Sequence, residues 1–246
     1  MKKILGFSFL IIILFSGCAL QQPDIPKYTI NKNDKIGYII NVPKKVEHSH
    51  VGTTIFNNFE KSYLYAWEKE GIIEKQLHDN LGQELINLSL LGFKNSDFKD
   101  LIVGKDDKWV INNNPLYQKL VNDLKLKALI VITDGAGTFF FNPYVFDVKG
   151  TGLVSTNFLG IKRFFAVLSV ESQIYLFNPL AKINVNRDPL VTIIYDPMLN
   201  SFEEKSGFKV PNDIENITQL EMEPVNKMNN IHLNGLINKT IEYINK

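Results

Sequence analysis

The sequence predicts an α/β domain, and three observations carry that prediction. In the first half, stretches with strand and helix periodicity alternate, which implies a sheet with some parallel pairing. Residues 128–133, Ala-Leu-Ile-Val-Ile-Thr, form a near-continuous apolar run, the pattern of a strand covered on both faces. In the second half, strand-like runs follow one another across turn signals until a helix-periodic stretch closes the chain. The expected architecture is a mixed sheet with flanking helices in the first half, antiparallel strands in the second half and a C-terminal helix.

The N-terminus carries a different signal. Lys2 and Lys3 precede an uncharged apolar stretch, residues 4–15, and the small residues Ser16 and Gly17 lead to Cys18. Charge, apolar run and small residues in that order mark a secretory signal peptide. The run falls short of the roughly 20 apolar residues that a membrane-spanning helix needs. The expected organisation is a signal peptide over residues 1–17, a tether over 18–33 and a single periplasmic α/β domain over 34–246. Pro23 and Pro26 in the tether favour extended chain.

Leu14-Phe15-Ser16-Gly17-Cys18 resembles the bacterial lipobox. The resemblance implies cleavage between Gly17 and Cys18 and acylation of Cys18 by palmitate-like chains. Phe15 departs from the commoner Leu of that pattern. Ala19 stands where many inner-membrane lipoproteins of Gram-negative bacteria carry Asp, so the sorting rule implies the outer membrane and its periplasmic face. In a Gram-positive organism the same anchor would hold the chain on the cell membrane.

Cys18 is also the sole cysteine, so no intramolecular disulfide can stabilise the domain and a core must do so. A hydrophobic content of 45% can supply one. Loss of residues 1–17 would remove two lysines and take the formal charge from +1 to −1. Such balance gives no electrostatic reason for a nucleic-acid partner. The partners expected are the membrane, through the lipid anchor, and another envelope protein. No cofactor motif is present and no cofactor is expected.

Along the domain, residues 35–42 read as a strand with apolar residues on both faces, ended by Pro43. Residues 44–54 are polar and read as an irregular loop. Asn57 or Asn58 could cap a short helix reaching Trp67, interrupted by Gly71. Ile73, Leu77, Leu81, Leu85 and Leu88 predict a long helix over residues 72–91, ended by Gly92. A strand is expected at 98–103, and Asn114-Pro115 reads as a helix start with Leu116, Leu120 and Leu124 buried. Strands are then expected at 139–143, 144–148, 164–177, 180–185 and 190–195. Within 164–177, Ser169, Glu171 and Gln173 mark a wetter face. Gly150 and Gly152 read as turn signals, and residues 151–162 as a mobile loop. Residues 201–212 read as a polar connector and 224–244 as the final helix.

This order resembles, at the level of architecture, the periplasmic lipoprotein domains of the CsgG, LpoB and TolB N-terminal type. Such domains are assembly factors, regulators of cell-wall enzymes or secretion channels. The resemblance therefore implies a binding role and transfers no catalytic residue.

Two stretches are candidates for chemistry. His48 and His50 lie two apart, so an extended chain would point both to one side, where a third ligand such as Glu47, His78 or Asp79 could complete a metal site. Asp134, Gly135 and Gly137 follow the carboxyl end of the apolar strand, where α/β folds place ligands. Neither a G-x-S-x-G elbow nor a P-loop is present. The Phe139–Phe146 aromatics are too many for one face of one strand, so they serve either as core or as an exposed patch. The functional expectation is a non-catalytic envelope lipoprotein with a binding or assembly-accessory domain. The alternatives are an envelope enzyme or metal- or ligand-binding lipoprotein, and a subunit of an oligomeric secretion assembly.

Overall fold

The structure, a computed structural model, describes residues 22–65, 67–141, 144–186, 188–198 and 207–246. Ser16, Gly17 and Cys18 lie outside the described residues. Twelve strands are described. Ten form one mixed sheet whose main path runs β3-β2-β9-β10-β7-β1-β4. They are β1 (Lys35–Asn41), β2 (Lys45–Val51), β3 (Phe59–Leu64), β4 (Glu84–Asn87), β7 (Leu126–Asp134), β8 (Ala136–Phe141), β9 (Tyr144–Phe158), β10 (Ile161–Phe177), β11 (Leu180–Asn184) and β12 (Leu190–Tyr195). A separate hairpin pairs β5 (Ile102–Lys105) with β6 (Lys108–Ile111). The helices are α1 (Lys69–Asn80), α2 (Asn114–Gln118) and α3 (Glu223–Ile244).

Everything hangs on β10. Its 17 residues extend roughly 50 Å at the usual rise. Residues 170–176 pair antiparallel with β7, which pairs parallel with β1, which pairs parallel with β4. Residues 161–169 pair antiparallel with β9, which pairs parallel with β2, and β2 carries β3 at the edge. One strand thus belongs to two half-sheets.

The half-sheet around β7 is apolar on both faces, as residues 128–133 require. Ile36, Ala128, Ile130, Ile132 and Ile174 face α1 and α3, where Ile73, Leu77, Leu233, Leu236 and Ile241 meet them. On the opposite face Ile39, Leu129, Val131 and Tyr175 are covered by Leu88, Phe98, Leu101 and Leu120. The half-sheet around β9 packs Leu153, Phe164 and Ala166 against Trp67, Phe208, Met222 and Val225. Its other face packs Val154, Phe165 and Val167 against the folded-back β8–β9 ribbon through Phe139, Phe141, Phe146 and Val148.

Several local expectations are corrected. Residues 44–54 are not an irregular loop, because β2 runs through them and seats Val46, His48 and His50 inward. The short helix expected from Asn57 or Asn58 to Trp67 is replaced by a 3-10 turn, Ile55–Asn57, and by β3. The helix over 72–91 ends at Asn80. Gly71 lies inside α1, Leu85 lies in β4, and Leu88–Leu91 is a 3-10 turn capped by Gly92 at φ 83°. The strand expected at 98–103 begins only at Ile102, after a 3-10 turn over Asn95–Phe98. Asn113, not Asn114, caps α2 by accepting from the Leu116 amide. Residues 151–162 are not a mobile loop: Gly150 and Gly152 lie inside β9, and β10 starts at Ile161. Ser169, on the expected wetter face, is buried, while Glu171 and Gln173 are half-buried.

The stretch expected as a tether has no regular secondary structure, yet from Gln22 onward it lies on the domain. Trp109 Nε1 donates to the Asp24 carbonyl at 3.0 Å, Tyr28 hydroxyl donates to the Tyr243 carbonyl at 2.5 Å, and Ile30 joins the main core. These contacts sit at the Phe177 end of β10, since β5 and β6 pack on β11 and Tyr243 closes α3. Among the described residues no helix is long and apolar enough to cross a membrane.

Candidate functional site

Strand alternation sends His48 and His50 to one side of β2, as the sequence predicts. Across the parallel pair, His50 stands opposite Ser155 of β9. The Ser155 hydroxyl lies 2.7 Å from His48 Nε2 and 2.7 Å from His50 Nδ1. Tyr63, on β3, reaches His48 Nδ1 at 3.5 Å while its hydroxyl donates to the Glu215 carbonyl at 2.9 Å. Phe59 stacks on His50 and meets His48 edge-on.

The protons can be assigned by counting. Tyr63 spends its one proton on Glu215, so its oxygen faces His48 Nδ1 as an acceptor. That favours Nδ1–H on His48, leaving Nε2 to accept from Ser155 and His50 Nδ1–H to donate to the Ser155 oxygen. Both rings are then neutral. Burial, followed by the charges of His50 and Lys61, pushes the His48 pKa down to about 3. Burial and Lys162 lower that of His50.

The three side chains are buried, Ser155 and His48 completely. No substrate can reach the serine oxygen, so the arrangement is a polar cross-link between β2 and β9. The third metal ligands do not assemble either. Glu47 points to the other face and accepts from Ser62, His78 meets Tyr38, and Asp79 pairs with Lys75. Among the described residues no group of three histidine, cysteine or carboxylate side chains could hold a metal ion.

At the other candidate, Asp134 is exposed at the end of β7 and Gly135 is hydrogen-bonded to Ser169. A side chain at Gly135 would meet Glu171 Cγ at 2.9 Å, and one at Gly137 would meet Pro189 Cγ at 2.5 Å. These glycines admit neighbouring parts of the protein. Gly137 does line an open cleft of about 560 Å³ between β2 and the β8–β9 ribbon, shared with Glu47, Glu60, Asp147 and Lys149. His48, completely buried, stands in the wall of the same cleft without opening to it.

A third feature was missed by sequence reasoning. At the Ile161 end of β10, two turns are pinned together: Thr53 Oγ1 donates to the Asn157 carbonyl at 2.9 Å and accepts from the Leu159 amide at 3.3 Å. They hold Ile55 (78% exposed), Phe56 (91%), Phe158 (46%) and Leu159 (73%) out to water. Tyr144 touches the Phe158 ring, and behind it the outward face of the ribbon exposes Phe140 and Val145. The inward ribbon aromatics Phe139, Phe141 and Phe146 are core packing, so the aromatic block is divided between the two roles. Burying an apolar side chain contributes about 1.5–3 kcal/mol, so covering this tip would supply several kcal/mol. Apolar pairs at turn apices, Ile55-Phe56 between threonines and asparagines and Phe158-Leu159 before Gly160, are the sequence signal that reveals it.

No family model and no curated protein sequence matches the chain. Among solved structures, the chain is similar to the hypothetical protein CT253 from Chlamydia trachomatis, with 11% identity and a TM-score of 0.39, over 86% of this chain and 98% of that one. It is also similar to lipoprotein GNA1162 from Neisseria meningitidis, with 9% identity and a TM-score of 0.28, over 83% and 99%. At these scores the likeness does not establish a common fold.

Proposed function

We propose that the chain is an envelope lipoprotein, anchored through acylated Cys18, whose α/β domain docks a further envelope component and performs no chemistry. The observation that carries the docking half is the tip of Ile55, Phe56, Phe158 and Leu159, which four exposed apolar side chains leave uncovered. Monomeric surfaces carry scattered apolar residues, but a cluster at one end marks an interaction site. The polar candidates support the same reading, because Ser155 and His48 are sealed and the glycines after β7 are packed. The anchor half rests on Lys2, Lys3, the apolar run 4–15 and the lipobox-like residues 14–18. Anchoring would act by confinement, raising the effective concentration of the tip near its target.

The two halves are tested separately. Cys18→Ser should move the protein out of the acylated membrane fraction, and an acylated band in that variant would refute the lipobox. The double variant Phe56→Ser/Leu159→Ser should stay folded and anchored yet lose the species cross-linked to the wild-type chain in whole cells. An unchanged cross-linking pattern would refute docking through the tip.

A further inference from the structure

The chemistry of the tip identifies what it meets. Resting on the docking reading, we infer that the tip inserts shallowly into the surface of an anionic lipid bilayer. Three observations converge. The described residues of the tip, 52–58, 139–141, 144–146 and 157–163, contain no carboxylate; of their two cations Arg163 is paired with the buried Asp196 at 2.8 Å, so Lys162 carries the net positive charge of the tip. Apolar apices backed by a cation match a surface with hydrocarbon beneath anionic headgroups.

The polar side chains of the tip bond one another and the backbone of the two turns. Thr54 Oγ1 donates to Asn57 Oδ1 at 2.7 Å, the Gly52 amide donates to Asn58 Oδ1 at 2.9 Å, and the Asn57 and Asn58 amides close the 3-10 turn onto Thr54 and Ile55. Thr53 satisfies Asn157 and Leu159 across the two turns. Backbone entering lipid must carry its own hydrogen bonds, and the Gly52, Asn57, Asn58 and Leu159 amides do so.

The shape is also that of an inserting element. Phe56 and Leu159 stand on the apices of two turns, with Leu159-Gly160 at φ 50° and 84°, and form neither a groove nor a flat sheet face. A fluid bilayer accepts single protruding side chains, whereas a folded partner would need a matching hole for each. The described N-terminal segment lies at the far end of β10, roughly 50 Å away by strand rise. A domain lying along a bilayer would touch it at both ends, so acyl anchor and tip would be two attachments to one lipid surface.

The test uses the full-length chain, lipidated at Cys18 and reconstituted into vesicles of phosphatidylcholine with or without phosphatidylglycerol. Leu159→Cys provides a thiol for an environment-sensitive fluorophore, and Lys99→Cys provides a control on the other half of the molecule. The inference expects a several-fold rise and blue shift of the Leu159 signal in the phosphatidylglycerol vesicles. It also expects quenching of that signal by spin-labelled acyl chains and weakening on Lys162→Glu, with position 99 unchanged. A Leu159 label that stays wet in both vesicles overturns the lipid assignment. If the tip-dependent cross-links persist in that case, docking stands and the occupant is a protein; if they are absent too, both readings fall.

Discussion

The two half-sheets share β10 and little else. Around β7 the sheet is apolar on both faces, covered by α1 and α3 on one side and by the chain between Leu88 and Leu120 on the other. Around β9 the contact between parallel strands carries a buried triad of His48, Ser155 and His50, and the end of that half opens into an apolar tip. The first half is built as a scaffold, tolerant because apolar contacts are non-directional. The second adds directional contacts to its apolar packing, and it presents the surface with work left to do.

Substitutions can break this contrast. The largest effect is expected from Gly152→Ala. Its Cβ would lie 2.3 Å from the Glu47 carbonyl, a backbone atom on the neighbouring strand, so β2 must move away from β9. A loss of about 3 kcal/mol is expected in denaturant unfolding. Gly37→Ala in β1 meets only the Leu126 and Leu88 side-chain ends, at 2.7 and 3.1 Å, and should cost about 1 kcal/mol. Equal losses at the two glycines would remove the distinction between the halves.

Ser155→Ala comes next. It strips both histidines of their shared partner inside a sealed site, and about 2–3 kcal/mol should be lost. The pH dependence sharpens the same point. His48 titrates near 6.5 when unfolded and is pushed down to about 3 in the fold, chiefly by burial. Below pH 6.5 the unfolded chain takes up a proton that the folded site refuses. Stability is therefore full above pH 6.5 and falls as the pH drops toward 3, with a loss on the order of 2 kcal/mol at pH 5 from His48 alone. His50, lowered in the same direction, adds to the slope. His48→Gln should flatten the profile in urea titrations between pH 7 and 5, and an unaltered slope would place the acid sensitivity elsewhere. The smallest effect on stability belongs to the tip, where Phe56→Ser and Leu159→Ser should each change the unfolding free energy by less than about 0.5 kcal/mol.

What the sequence made legible follows the same division. The apolar half was readable because its code is local: residues 128–133, the strand at 180–185 and the final helix fall within a residue or two of their expected bounds. The polar half inverted that code. In Glu47-His48-Ser49-His50 both faces are polar, so period-2 alternation carried no contrast between inside and outside. Gly150, Thr151, Gly152 and Ser155 look like loop residues, and only the pressing of β9 between β2 and β10 explains them as strand. The overlong helix had a different cause. Leu81, Leu85 and Leu88 continue a helical spacing by coincidence, while Gly82-Gln83 lets the chain turn into β4. The histidine pair was found from spacing, but its partner Ser155 is 105 residues from His50 and only tertiary pairing joins them.

Leu90, 83% exposed beside β4, gives the docking account its sharpest control, because it is as bare as the tip but belongs to the scaffold half. A photoreactive residue placed in turn at Phe56, Leu159 and Leu90 of the anchored chain reports what each one touches in intact cells. The account predicts adducts from positions 56 and 159 and none from 90. Adducts from position 90 with none from the tip would contradict it.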